Sequence, residues 1–140
     1  MKEIYTEIEI NSTADQLWRV LVDFDSYPQW NPFIRSVAGS PTEGAKLAIH
    51  LTTPSGTNRS YEPKVTKVIP NKELRWSGKI PGLFAGEHIF AIEELDSKVK
   101  FVHRELFTGL LTSFFGSSLD KDIKAGFEQM NAALKKRVEG

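Results

Sequence analysis

Apolar residues recur with a period of two over most of the chain and with a period near 3.6 in two stretches, which predicts strands framed by helices. Residues 2–10 alternate strictly, and the face that we expect to be buried carries Ile4, Thr6, Ile8 and Ile10. A short amphipathic helix follows, for which Ser12 is the predicted N-cap and Asp23 the approximate end. Two prolines within residues 25–32 then favour a short helical turn and a tight loop.

Strand periodicity returns after this loop. The predicted strands are separated by turns that contain glycine or proline, and they span residues 33–38, 45–53, 59–69 and 73–80. Pro63 lies within the third of these segments, so we expect that strand to lie at a sheet edge or to carry a bulge.

Residues 87–107 predict a hairpin whose register can be derived. If Asp96 and Ser97 form a two-residue turn, partners across the two strands have residue numbers with a constant sum. One face then carries three pairs, namely His88 with Glu105, Phe90 with His103, and Ile92 with Phe101. The other face carries most of the full charges, so the three pairs are expected to point inward. Trp76 of the preceding strand is predicted on the same face, next to His88.

The last apolar stripe has helical spacing from residue 109 to residue 139 and predicts one long amphipathic helix. The order of elements is then β-α-α-β-β-β-β-β-β-α, an α+β arrangement in a single domain over residues 1–140. We expect a curved antiparallel sheet of six to seven strands wrapped around the C-terminal helix. One helix cannot fill the concave face of a strongly twisted sheet, so an internal cavity is predicted between them.

Composition narrows the functional classes. The 140 residues include no cysteine, which excludes disulfides, thiolate metal sites and cysteine nucleophiles. The 18 basic residues balance the 18 acidic ones and are scattered, so we expect no nucleic-acid partner. No apolar run is long enough to span a bilayer, and the chain enters a strand pattern at once. We therefore expect a cytoplasmic protein without stable membrane insertion.

One segment of the chain is distinctive. Residues 27–33 read Tyr-Pro-Gln-Trp-Asn-Pro-Phe, and the supporting segments are residues 73–76, 86–90, 103–109 and 134–135. Together with the order of elements, they resemble the SRPBCC superfamily, also called START-like or helix-grip, and within it the polyketide cyclase/dehydrase-like group. The resemblance covers nearly the whole chain and implies a helix-grip fold with an apolar cavity open to solvent. It implies no particular substrate, since the superfamily includes lipid and steroid carriers, hormone receptors, aromatase/cyclases and chaperone cofactors.

The pair of His88 and Glu105 is open to more than one chemical interpretation. The carboxylate could orient the imidazole and raise its basicity for proton transfer in a cyclisation or dehydration. The pair could instead anchor a carbonyl or hydroxyl of a ligand, or simply fix strand pairing. With His103 it also offers two imidazoles and a carboxylate, which is a donor set for iron or zinc. In this register, however, His103 is diagonal to His88 and is expected under the helix or at a cavity wall, so we predict neither a metal site nor a cofactor.

Aromatic and apolar residues on the inner face, the loop and the last helix complete the set of candidates. The candidate ligand-binding residues are Trp30, Asn31, Phe33, Tyr61, Trp76, His88, Phe90, Phe101, His103, Glu105, Phe107, Phe115, Leu119, Ile123 and Phe127. Core packing is the alternative role for the aromatic ones, and Trp30 in particular could plug one end of the core.

These observations predict a monomeric or weakly dimeric protein that binds or carries a small hydrophobic ligand, such as a lipid, a polyketide or an aromatic compound. One alternative is a cofactor-independent cyclase or aromatase, in which His88 and Glu105 would be the catalytic candidates. The other is an interaction module similar to chaperone activators.

Overall fold

The fold was obtained as a computed structural model that describes residues 2–80, 84–109 and 117–140. Its elements are, in order, β1 (Lys2–Ile10), α1 (Ala14–Val22), a 3-10 turn (Phe24–Ser26), α2 (Tyr27–Trp30), β2 (Ile34–Ala38), β3 (Ala48–Thr52), β4 (Asn58–Tyr61), β5 (Lys64–Ile69), β6 (Glu73–Ile80), β7 (Phe84–Glu94), β8 (Val99–Gly109) and α3 (Ser117–Glu139). All strand pairs are antiparallel, and the predicted α+β class is confirmed.

The strands form a five-stranded sheet in the order β1-β8-β7-β6-β5 and a three-stranded sheet in the order β2-β3-β4. The prediction of one strand over residues 59–69 is wrong, because the chain leaves one sheet and enters the other at Pro63. Proline has no backbone N–H for a strand ladder, and the Pro63 carbonyl instead accepts a 2.8 Å hydrogen bond from the Leu47 amide. The described chain therefore has eight strands rather than six to seven.

Helix α1 begins one residue later than expected. Thr13 is its N-cap, and the Thr13 hydroxyl accepts from the Gln16 amide at 3.2 Å. The Gln16 side chain reaches back to the Thr13 amide, which completes a capping box. The assignment of Ser12 as the cap is wrong, whereas the predicted end at Asp23 is confirmed.

The β7–β8 hairpin has the register derived from the sequence. The amide of Leu95 donates to the carbonyl of Lys98 at 2.8 Å, which closes the tight turn. The inward pairs are those predicted, His88 with Glu105, Phe90 with His103, and Ile92 with Phe101. Trp76 of β6 pairs with His88 as expected. We call the face of the five-stranded sheet that carries these side chains the inner face.

Helix α3 crosses the inner face and fills the interior beneath its C-terminal part. Phe127, Met130 and Leu134 are fully buried in a core shared with both sheets. Gly109, the predicted first helical residue, is the last residue of β8, and residues 110–116 lie outside the described residues. The predicted internal cavity stays a prediction. None of the helices among the described residues combines the length and apolar character required to cross a membrane.

Candidate functional site

His88 and Glu105 lie side by side on the inner face, as the register predicted. The distance from His88 Nδ1 to Glu105 Oε1 is 3.6 Å, which is too long for a hydrogen bond. The His88 side chain is 3% exposed and the Glu105 side chain 16%. The imidazole is thus enclosed by protein, while the carboxylate remains partly accessible.

The other nitrogen of His88 makes a contact that the sequence did not predict. His88 Nε2 and His103 Nε2 are 2.7 Å apart and share a hydrogen bond. His103 lies under α3, as expected, where its ring stacks on Phe127 with centroids 4.0 Å apart. On its far side, His103 Nδ1 is 2.9 Å from Asn131 Oδ1.

This chain of contacts ends at β1. The Thr6 hydroxyl donates to the backbone carbonyl of His103 at 2.7 Å and accepts from Asn131 Nδ2 at 2.9 Å. We call Thr6, Asn131, His103 and His88 the histidine relay. The sequence contained a signal for it, because Thr6 and Asn131 are polar residues at buried positions of otherwise apolar faces.

The relay determines where the protons lie. The Asn131 amide donates through Nδ2, so its Oδ1 accepts, and His103 Nδ1 must carry the hydrogen. Burial, together with the neighbouring His88, holds the pKa of His103 well below its usual value, so His103 is neutral. Its Nε2 is then the acceptor, and His88 Nε2 must be the donor.

The consequence is an open position at His88 Nδ1. Among the described residues this atom is buried and has no hydrogen-bond partner. A buried polar atom without a partner costs about 1–3 kcal/mol. The position is therefore one at which a ligand or a water molecule would be stabilised.

Two glycines lie on the inner face next to this position. Gly78 of β6 pairs with Gly86 of β7, and both are partly exposed. A Cβ atom on Gly86 would lie 2.9 Å from Glu105 Oε2, and one on Gly78 would lie 3.4 Å from the Tyr61 ring. The two glycines form a floor, and Tyr61 and Glu105 stand over it.

Trp76 and Tyr61 border the same position. The Trp76 ring stacks on His88 with centroids 5.3 Å apart, and Trp76 Nε1 donates to the Tyr61 hydroxyl at 3.2 Å. Burial, and then the negative charge of Glu105, raise the pKa of the Tyr61 hydroxyl well above its usual range. Tyr61 therefore stays protonated and can donate a hydrogen bond.

The remaining candidates lie in the core or in the loop. Phe90 and Phe101 stack in the fully buried core, and Phe33 packs edge-on against Phe127. Phe107 is 6% exposed and lies near Gly86. Ile123 is half-buried against the core. Their contact with a ligand stays a prediction. Phe115 and the side chain of Leu119 lie outside the described residues.

Asn31 and Trp30 have visible structural roles. Asn31 is buried, and its Oδ1 accepts from the amides of Phe33 and Ile34 at 2.9 and 2.8 Å, which holds the loop before β2. Trp30 is half-buried and packs edge-on against Tyr27 with centroids 5.2 Å apart. A ligand contact of either side chain stays a prediction.

The geometry gives no support to a two-histidine metal site. His88 and His103 direct their Nε2 atoms at each other, so these atoms cannot both ligate one ion. Within residues 2–80, 84–109 and 117–140, no cluster of three or more His, Asp or Glu side chains is arranged to hold a metal.

Solved structures with the same architecture define the fold class. A START superfamily protein from Mycobacterium smegmatis superposes with a TM-score of 0.77 at 21% identity, over 98% of this chain and 97% of that chain. Ara h 8.0201 gives a TM-score of 0.75 at 13% identity, over 99% and 97%. The di-domain ARO/CYC StfQ from the steffimycin biosynthetic pathway gives 0.69 at 11% identity, over 99% of this chain and 52% of that chain. At these identities the likeness establishes the START-like, helix-grip fold.

The sequence comparison identifies the family. Residues 1–139 match the family described as polyketide cyclase / dehydrase and lipid transport, and the chain belongs to it. The resemblance noted from the sequence is thereby confirmed. No curated protein is significantly similar to the sequence.

Proposed function

We propose that the protein binds a small hydrophobic ligand against the inner face of β6, β7 and β8, with His88 and Glu105 as its polar anchor. The observation that carries this proposal is the buried His88 Nδ1, which has no partner among the described residues and faces the Glu105 carboxylate. The family name, which covers both cyclisation and lipid transport, agrees with an apolar ligand.

The affinity would come mainly from burial of apolar surface. Such burial contributes about 25 cal/mol per Å² and is not directional. Tyr61, which is half-buried, would offer apolar surface beside the glycine floor. The His88–Glu105 pair would add little area but would fix the orientation of the ligand.

Native mass spectrometry of the protein expressed in cells tests the proposal. We expect an apolar molecule to co-purify, and its occupancy to fall in His88→Phe. His50→Phe is the matched control, because His50 is exposed on β3. A protein that is always empty and also rejects a panel of apolar ligands would contradict the proposal.

A second candidate function is cofactor-independent cyclisation or dehydration of a polyketide. It is favoured by the relay, because a donating Nε2 leaves Nδ1 of His88 as a potential base beside a carboxylate. In that case His88→Gln should abolish turnover of a polyketone substrate and leave its binding nearly intact. Unchanged turnover in the variant would rule this candidate out.

The chaperone-activator alternative has less support. Among the described residues the exposed large apolar side chains are Tyr5 and Ile69. They lie on β1 and β5, the two edge strands of the five-stranded sheet, and so form no common groove. A single domain, a monomeric or weakly dimeric state and a cytoplasmic location stay predictions, and size-exclusion chromatography with light scattering would test the oligomeric state.

A further inference from the structure

We infer that the ligand presents a hydroxyl group to the His88–Glu105 pair, and that the site disfavours ligands whose only polar atom there is a carbonyl or ether oxygen. This inference rests on the proposed binding function and specifies the chemistry of the anchored group. It follows from the hydrogen-bond capacity that the histidine relay leaves unused.

The first step is the donor inventory of His88. Its Nε2–H is committed to His103 Nε2 at 2.7 Å, because His103 uses its own hydrogen toward Asn131 at 2.9 Å. As long as His88 Nδ1 carries no hydrogen, it offers a ligand only its lone pair. A ligand carbonyl, which can only accept, finds no donor on it.

The second step is the acceptor inventory. Glu105 places Oε1 3.6 Å from His88 Nδ1, and an ionised carboxylate is an acceptor only. If a proton is added to either group, the pair holds one donor and still keeps an acceptor. In every protonation state, then, a hydroxyl can donate to the pair, whereas the pair can donate to a carbonyl only when it has gained a proton.

Tyr61 strengthens the preference. Its hydroxyl accepts from Trp76 Nε1, and its own hydrogen has no acceptor among the described residues. A ligand oxygen near Glu105 could accept from Tyr61 while its hydrogen goes to His88 or Glu105. A hydroxyl makes both bonds, but a carbonyl or an ether makes one.

The direct test compares three ligands with one skeleton, namely 1-(2-naphthyl)ethanol, its methyl ether and 2-acetylnaphthalene, by titration calorimetry. We expect the alcohol to bind about tenfold more tightly than the ether and the ketone, since a hydrogen bond to a charged group adds about that factor. Equal affinities for all three would overturn the inference and leave the binding function intact. Binding of none of them would count against both.

The positions of the hydrogens in the histidine relay can be measured in the unmodified protein. Long-range ¹H–¹⁵N spectra of the histidine rings should show the hydrogen on Nδ1 of His103 and a hydrogen on Nε2 of His88. The opposite tautomers would overturn the inference. In His103→Phe, where His88 is free to move its hydrogen to Nδ1, the ratio of alcohol to ketone affinity should fall. An unchanged ratio in a folded variant would contradict the positioning role of His103.

Discussion

Four side chains from four different elements form the histidine relay, and each buried polar atom along it has a partner until the last. Thr6 comes from β1, Asn131 from α3, and His103 and His88 from β8 and β7. Hydrogen-bonded networks of this kind are favourable only when their members are satisfied. The relay is complete at the Thr6 end and incomplete at His88 Nδ1, and this asymmetry marks the site.

Removing the Thr6 hydroxyl should destabilise the protein. In Thr6→Val the shape is kept, but Asn131 Nδ2 loses its acceptor in a buried position. We expect the free energy of unfolding to fall by about 1–3 kcal/mol in urea titrations. Thr66→Val, at an exposed position of β5, is the control and should change it by less than about 0.5 kcal/mol. Equal effects of the two substitutions would show that the relay does not stabilise the core.

Filling the glycine floor should alter ligand choice more than stability. The Cβ of Gly86→Ala would lie 2.9 Å from Glu105 Oε2, the end of a flexible side chain that can move aside. We expect the ratio of alcohol to ketone affinity to fall, because the carboxylate leaves its place beside His88. Gly78→Ala fills the same floor but leaves the carboxylate in place, since its Cβ would make an ordinary 3.4 Å contact with Tyr61, so it should lower the ratio less than Gly86→Ala does. If Gly78→Ala changed the affinity ratio more than Gly86→Ala did, Glu105 would not be part of the polar anchor.

At the level of elements, the packing of α3 depends on a close approach at Gly126. A Cβ there would lie 2.5 Å from Cδ1 of the buried Phe33 ring. Alanine favours an isolated helix over glycine by about 1 kcal/mol, so the glycine is explained by packing rather than by helix propensity.

Gly126→Ala should therefore lower the unfolding free energy by about 1–3 kcal/mol, since overpacking a rigid core costs that much. Combining it with Phe33→Leu tests the cause in a double-mutant cycle. The smaller side chain should relieve the clash, and the double variant should be more stable than the sum of the single effects predicts. Strict additivity would mean that Phe33 is not what opposes the added methyl group.

The sequence was most informative where the pattern that predicts an element is local. The bounds of β1 and β6 and the β7–β8 register follow from alternation and a two-residue turn, which act over neighbouring residues. The error over residues 59–69 has a different origin. Alternation continues through Pro63, but the pairing partner changes from β3 to β6, and the choice of partner is not encoded in the local period.

For the whole molecule, some contacts of the site depend on local strand register and others on packing between distant elements. The pairing of His88 with Glu105 and the position of Trp76 were predictable, because register fixes which residues share a face. The contact of His103 with Asn131 was not, because it depends on how α3 lies across the sheet. The orientation of a helix on a sheet is set by packing of many side chains, which periodicity alone does not determine.

Burial of His103 should make the stability of the whole molecule sensitive to mild acid. The pKa of His103 is lowered chiefly by burial and further by His88. Below about pH 6.5 the unfolded chain therefore binds a proton that the folded protein does not bind. The unfolding free energy should then decrease as the pH falls, by up to about 1.4 kcal/mol per pH unit for this one group. Urea titrations at several pH values between neutrality and mild acid would measure the slope.

Two variants test whether His103 causes this dependence of the unfolding free energy on pH. His103→Phe keeps an aromatic ring against Phe127 and removes the titrating group, so its stability should depend less on pH than that of the unmodified protein. His50→Gln replaces an exposed imidazole on β3 and should leave the slope as it is. If His103→Phe retained the full slope, the acid sensitivity would have to come from His88 or from the carboxylates. In that case the folded protein would protonate His103 about as readily as the unfolded chain does.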